Sequence, residues 1–273
     1  MAASRMSTVW GLLAARAVGR GGPATAADVC AVCVATVAVS GAAVTVMGKT
    51  GAGHAGTGHV ICVTDEASEQ LEDLQLTFGE GPRVDALAAG APVLVPDLDA
   101  SDIAGRWPVF GPGARLAGAA AVFAFPLQIG AIRVGVMDLY RRLPGQLSAR
   151  ELGDSLMFAD AATTFLLDRQ DRDGRAGTLD EDGRASADGF PDGDGMAGPG
   201  PGGQPLDLGL HRAEIDQATG MLTEQLGVSI DEAFVRLRAY AYAHDRRLAD
   251  VARDLVSRAL RLGPGSPPPG GAA

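Results

Sequence analysis

The segment from Arg169 to Pro205, RQDRDGRAGTLDEDGRASADGFPDGDGMAGPGPGGQP, limits what this chain can fold into more than any other stretch. It is dense in Gly, Asp and Pro and has almost no large apolar side chain. Folding it would bury too little surface to offset backbone ordering entropy of about 1–2 kcal/mol per residue. A disordered acidic linker is expected there. The sequence on either side must therefore build two separate cores within the 273 residues. The expected layout is an α+β domain at 8–168, the linker at 169–205, a small all-α module at 206–262 and a flexible tail at 263–273.

In the first domain, hydrophobic spacing predicts helices over Thr8–Val18 and Ala24–Val39, then strands over Val44–Met47 and His59–Thr64. Asp65 is a sound N-cap for a following helix, with Glu66 and Glu69 in its first turn, and Gly79–Pro82 should end it. PVLVP at 92–96 reads as a short strand, and a further helix is expected near Arg106. Two strands, Ala120–Gln128 and Ala131–Tyr140, turn at Gly130. Ser148 and Glu151 form a capping box for a long helix running to about Asp168.

The run from Val29 to Met47 is apolar enough to raise a membrane question, but Thr36, Ser40 and Gly41 interrupt it. The spacing also changes within it from helical to alternating, so a buried helix and a strand are expected, with no membrane span. The N-terminal apolar run is broken by Arg16, and Val9, Leu12, Leu13 and Ala17 suit an amphipathic helix better than a signal peptide. A cytoplasmic location follows as the expectation.

Catalytic and metal chemistry find little support. GAGHAGTG at 51–58 has no following helix and no Lys-Ser/Thr, so it is not a phosphate loop. The four histidines form no triad. Asp97, Asp99 and Asp102 are explained by turn chemistry. Cys30 and Cys33 share a helix face, and Cys62, His54 and His59 could complete a metal set, yet the histidines fall in or beside a glycine-rich turn. The three cysteines are read as small core hydrophobes, with no disulfide scaffold. No catalytic residue, metal ligand or cofactor is expected.

The C-terminal module carries three helix signatures. Leu208, Ile215 and Leu222 are seven apart, with Ala218 between and Leu226 one turn on, a narrow seam suited to a short coiled coil or dimer contact. Gly227 ends this helix. Ser229 caps the next, whose buried face is expected to be Ile230, Phe234, Leu237 and Ala241; the third should bury Leu248, Val251, Ala252, Leu255 and Ala259. On the second helix Arg236 and Tyr240, and Arg238 and Tyr242, are paired at i, i+4 and should stack. Arginine and tyrosine are the side chains that grip phosphates and stack on unpaired bases. Charge gives no help, however: the whole chain is −10 with pI near 4.8, and residues 206–262 hold eight arginines against nine acids. Any RNA contact must come from a local patch.

The first domain resembles a GAF domain of actinobacterial regulators. The phrases that carry the likeness are SGAAVTVM at 40–47, LEDLQLTFGEGPRVDAL at 71–87, PVLVPDL at 92–98 and FPLQIGAIRVGVMDLYR at 125–141. The resemblance implies a central antiparallel sheet with flanking helices, often enclosing a small-molecule pocket of unspecified ligand. Candidate lining residues are Phe78, Trp107, Phe110, Phe123 and Phe125, which also suit a packed core. The module is similar to an ANTAR domain through IDQATGML at 215–222, EAFVRLRAYA at 232–241 and RRLADVARDLV at 246–256. That family binds paired hairpins in nascent transcripts, favours an antiterminator over a terminator, and commonly works as a homodimer gated by a sensor. Carried over by position, Gln217, Gly220, Arg238, Tyr240, Arg246 and Arg247 become the RNA-binding candidates. Thr219 stands where many members have lysine, and Tyr240 could equally be a packing residue.

Two function classes follow from these readings. One is a signal-responsive antitermination regulator whose partner is structured RNA. The other is a dimeric adaptor that binds a small molecule or protein without RNA. A flexible tether of 37 residues cannot transmit a helical rotation. Gating is therefore expected through dimerisation, release of a docked module, or competition by the acidic linker for the arginines.

Overall fold

The computed structural model describes residues 2–47, 58–176, 208–244 and 246–263. The N-terminal domain opens with helix α1 (Ala2–Arg20) and helix α2 (Ala26–Val37). Thr25 and Asp28 make a reciprocal capping box at the start of α2, which satisfies backbone donors that would otherwise have no partner in the first turn. Strands β1 (Gly41–Met47) and β2 (Gly58–Val63) follow. Next come α3 (Glu66–Phe78), α4 (Pro82–Ala89), β3 (Val93–Val95), α5 (Ser101–Arg106) and α6 (Phe110–Leu116). Strands β4 (Ala121–Ile129) and β5 (Ile132–Arg141) and the long α7 (Ala149–Ala176) complete the domain. The five strands form one antiparallel sheet in the order β2-β1-β5-β4-β3. This is the α+β architecture expected.

Helices cover both faces of this sheet, so alternate residues of each central strand go to two different cores. Phe123, Phe125 and Leu127 of β4, Met137 and Leu139 of β5 and Val44 of β1 pack under α1, α2 and α7. Val122 and Ala124 of β4 and Val136 and Tyr140 of β5 face the layer of α3 to α6, with Trp107 and Phe110. Burial on both faces explains why β4 and β5 read as nearly continuous apolar runs.

Several boundaries differ from the sequence reading. Pro82 does not merely terminate α3: it occupies the first turn of α4, a helix that was not anticipated, where its missing N–H costs nothing. The helix expected near Arg106 is two short helices broken at Trp107. α7 continues to Ala176, eight residues beyond Asp168 and into the segment assigned to the linker. The rest of that linker, the glycine-rich stretch at 51–57 and His54 lie outside the described residues. Cys30 and Cys62 are joined in a disulfide, where none was expected, because α2 lies across β2 and brings together positions 32 apart in sequence. Cys33 is free, and burial pushes its thiol well up, so it behaves as the small hydrophobe expected. Among the described residues no helix is long and apolar enough to cross a membrane, and no cluster of His, Cys, Asp or Glu could hold a metal ion.

The C-terminal module consists of α8 (Leu208–Leu226), α9 (Ile230–Ala243) and α10 (Leu248–Val256) around one core. Gly227 ends α8 at φ 63°, a left-handed position that a side chain disfavours. Ser229 caps α9 by accepting from the Glu232 N–H at 3.2 Å. Ile215, Ala218 and Leu222 are buried against Leu237, Ala241, Val251 and Leu255. The seam that suggested a coiled coil is therefore used within the chain's own three-helix core. On α9 the buried face is Ala233, Leu237 and Ala241; Ile230 is exposed and Phe234 half-buried, while Ala259 lies beyond α10 on the surface.

Candidate nucleic-acid interface

The side chains nominated for RNA contact come from three parts of the module. Gln217 is exposed on α8, and a Cβ added at neighbouring Gly220 would meet nothing within 4 Å, so this stretch presents an open backbone surface. Thr219 is turned inward: it is buried and its hydroxyl donates to the Ile215 carbonyl at 2.7 Å. On α9 the expected arginine–tyrosine stacks are not formed. Arg236 pairs instead with Glu232 one turn back, at 2.8 Å, and Tyr240 stacks on His244 with ring centroids 3.9 Å apart. An ion pair at i, i−4 outcompetes a tyrosine ring as a partner for an exposed guanidinium. Arg246, between α9 and α10, is paired with Asp254 at 2.8 Å, and Arg253 with Glu214 and Asp250 at 3.2 and 3.1 Å.

The other two arginine candidates, Arg238 and Arg247, reach out of the module. Arg238 donates from Nε to the Thr77 carbonyl at the end of α3, 2.9 Å away. Burial, reinforced by the charge of Arg83, lowers Arg238 from the ordinary arginine value, and among the described residues no carboxylate pairs with it. Arg247 donates to Asp73 Oδ2 through Nε at 2.9 Å and also through its terminal nitrogen, with Glu69 3.8 Å off. Burial works against the charge on Arg247, but Asp73 and then Glu69 more than compensate and raise it. Tyr242 meets Phe78 edge-on at 5.7 Å, and Leu76 packs against the module core. At Gly79, with φ 66°, any Cβ would run into the Arg238 guanidinium. Open clefts of about 470 and 370 Å³ flank this contact; Phe78 lines both, Arg246 and Arg247 the larger, Arg238 and Tyr242 the smaller.

A second constellation lies on the opposite side of α3, inside the N-terminal domain. Arg83 and Glu72 form a buried ion pair, and Thr45 donates its hydroxyl to Glu72 at 2.6 Å. The Gln75 side-chain oxygen accepts the Arg83 backbone N–H at 2.7 Å. Asp138 faces the same space from β5. It is buried, neither carboxyl oxygen has a hydrogen-bond partner among the described residues, and it lines a small void of about 10 Å³ with Ser68, Glu72, Gln75, Phe110 and Tyr140. Burial, and then the Glu72 charge, raise Asp138 well above the usual carboxylate range, with Arg83 only partly opposing them. Beside it, burial and the hydrogen bond to Asp65 (2.6 Å) push the Tyr140 phenol up to about 12.

Of the five aromatic pocket candidates, the structure brings Trp107 and Phe110 together edge-on at 5.6 Å on the α3–α6 face. Phe123 and Phe125 lie in the core on the opposite face, and Phe78 sits at the boundary with the module. The five therefore do not line one cavity. Sequence reasoning missed Glu72, Arg83 and Asp138, whose only signal was the placement of charged residues at positions where strand and helix periodicity demand apolar ones.

Residues 210–256 match the ANTAR domain. No curated protein matches the chain. Among solved structures, the GAF domain of a phosphoenolpyruvate-protein phosphotransferase from Coxiella burnetii is similar at 10% identity and a TM-score of 0.44, covering 62% of this chain and 98% of that one. The GAF domain of the Acinetobacter phosphoenolpyruvate-protein phosphotransferase is similar at 10% identity and a TM-score of 0.42, over 59% of this chain and 94% of that one. A GAF domain/HD domain protein from Geobacter sulfurreducens gives 16% identity and a TM-score of 0.38, over 52% and 90%. The chain thus carries a segment at 210–256 that matches the ANTAR domain, after an α+β domain built on a five-stranded antiparallel sheet.

Proposed function

We propose that this chain is a signal-responsive, RNA-binding regulator of transcription antitermination rather than an enzyme. In this reading the GAF-like domain senses a small-molecule signal and the ANTAR domain binds tandem hairpins in nascent transcripts, working in the cytoplasm as a homodimer. The observation that carries the proposal is the ANTAR match over 210–256, on which Gln217, Gly220, Arg238, Tyr240, Arg246 and Arg247 all fall. Arg238 supports it physically. A half-buried guanidinium held by a carbonyl and the Phe234 ring, with no carboxylate partner among the described residues, is a group that a phosphate would satisfy better, because phosphate adds an opposite charge and accepts two parallel N–H bonds. Dimerisation has to use a surface other than Ile215, Ala218 and Leu222, which are occupied in the module core.

The test is direct titration of the full chain with two-hairpin RNAs from its own genome, over a salt series, with Arg238→Ala as control. The proposal requires salt-sensitive binding, since each phosphate neutralised releases counterions, and weaker binding by the variant. A second reading, a dimeric adaptor that does not bind RNA, is favoured by the internal pairing of Arg236, Arg246, Arg247 and Arg253 with carboxylates. It requires partner capture to depend on residues 206–273 and RNA binding to be absent at every salt concentration.

A further inference from the structure

Two of the six RNA-binding candidates, Arg238 and Arg247, project away from the module and onto one face of α3. That face is built at helical spacing: Glu69, Asp73 and Thr77 are four residues apart, with Leu76 beside them. Its carboxylates and its last carbonyls are acceptors for guanidinium groups, the same chemistry that an RNA backbone offers. Another face of α3 is fixed by Glu72 and Gln75 to Thr45 and Arg83, with Asp138 facing the same void. One helix therefore has the sensor core on one side and the RNA-binding arginines on the other.

We propose that α3 is an internal competitor for RNA: its acidic face holds Arg238 and Arg247, and the ANTAR domain binds RNA fully only after undocking from it. This inference rests on the RNA-binding reading given above. Three features point to a releasable clasp. The Arg247–Asp73 pair is partly exposed, with side-chain accessibilities of 46% and 27%, so its net strength is modest. Outside its own module Arg238 finds a carbonyl and, among the described residues, no carboxylate, so a phosphate would be a better partner than the one it leaves. The apolar part on α3 is small, comprising Phe78 against Tyr242 and Leu76 against the module core, with open clefts on both sides; α8 adds a separate contact with β2. Rearrangement of the Glu72–Arg83–Asp138 cluster would move the helix that carries the clasp, which gives a signal in the first domain a physical route to the second.

The experiment compares wild type, Asp73→Ala and Leu76→Asp as full chains. Docking is read by small-angle X-ray scattering, and RNA binding by fluorescence polarisation with one synthetic two-hairpin RNA. Leu76→Asp guards against a result peculiar to charge, because it opposes docking while adding negative charge that cannot attract RNA. The expected result is a larger radius of gyration for both variants and RNA affinity about three- to fivefold tighter than wild type, the size of one partly exposed ion pair. Arg247→Ala should open the chain equally without tightening RNA binding. A wild type as extended as the variants, or equal measurable affinity in all of them, overturns the clasp while leaving RNA binding intact. If none of the proteins binds RNA, the RNA-binding reading falls and the competition falls with it.

Discussion

Replacing Asp138 with Asn should stabilise the N-terminal domain at neutral pH and flatten its pH dependence. In the folded chain this carboxyl is buried without a hydrogen-bond partner among the described residues and faces the Glu72 carboxylate, so its ionisation is pushed well above 3.8. In the unfolded chain it titrates at the ordinary value. Folding therefore takes up a proton when the pH lies between the unfolded and the folded value. The native state then binds more protons than the unfolded one, so stability falls as pH rises from about 4 through the folded-state value. Each unit of separation costs about 1.4 kcal/mol above both values. Asn keeps the shape, cannot ionise and removes the linkage. A single unit of relief corresponds to about 1.4 kcal/mol, or roughly 3–6 °C in Tm for a domain of this size. The assay is thermal unfolding of wild type and Asp138→Asn at pH 4.5 and pH 7.5. The advantage of the variant should be larger at pH 7.5. A difference that is the same at both pH values, or a variant less stable at pH 7.5, would refute a neutral buried Asp138.

Other substitutions probe separate parts of the fold. Gly135→Ala should abolish assembly of the first domain, because a Cβ there would strike the Thr45 carbonyl oxygen and sit 3.2 Å from Val46 Cα; circular dichroism and solubility read this out, and a normally folded variant would contradict the β1–β5 pairing. Leu222→Ala empties a fully buried position in the module core and should cost about 2–5 kcal/mol, seen as loss of its unfolding transition before that of the first domain. Ser229→Ala removes the α9 cap and should cost about 1 kcal/mol in urea denaturation; no loss would mean that the cap is replaced by water.

The local features of this chain were legible from its residues. The capping box of Ser148 and Glu151 is present in both directions, at 2.7 and 3.3 Å, and Asp65 and Ser229 cap where their spacing places them, because a cap involves residues only three apart. Features set by tertiary partners were not. Pro82 reads as a terminator until it is seen to begin α4. The i, i+4 arginine–tyrosine spacing on α9 was real, yet Glu232 and the end of α3 supply better partners for the guanidinium groups than a tyrosine ring does. The same holds for the Ile215–Ala218–Leu222 seam, where the heptad spacing cannot distinguish a partner helix in another chain from α9 and α10 in its own. Glu72, Arg83 and Asp138 come from three elements, and only the fold reveals that they share one space. Of the RNA-binding candidates, periodicity located the helices that carry them; the role proposed for them came from the ANTAR likeness, since a near-neutral module gives no electrostatic signal.

The most direct test of RNA recognition is to purify the full chain from its native host and sequence the RNA that accompanies it, with Arg238→Ala purified in parallel. The account predicts enrichment of segments that fold as two adjacent hairpins ahead of a terminator, with enrichment reduced in the variant. RNA no different from the cellular background, or enrichment undiminished by Arg238→Ala, would contradict it.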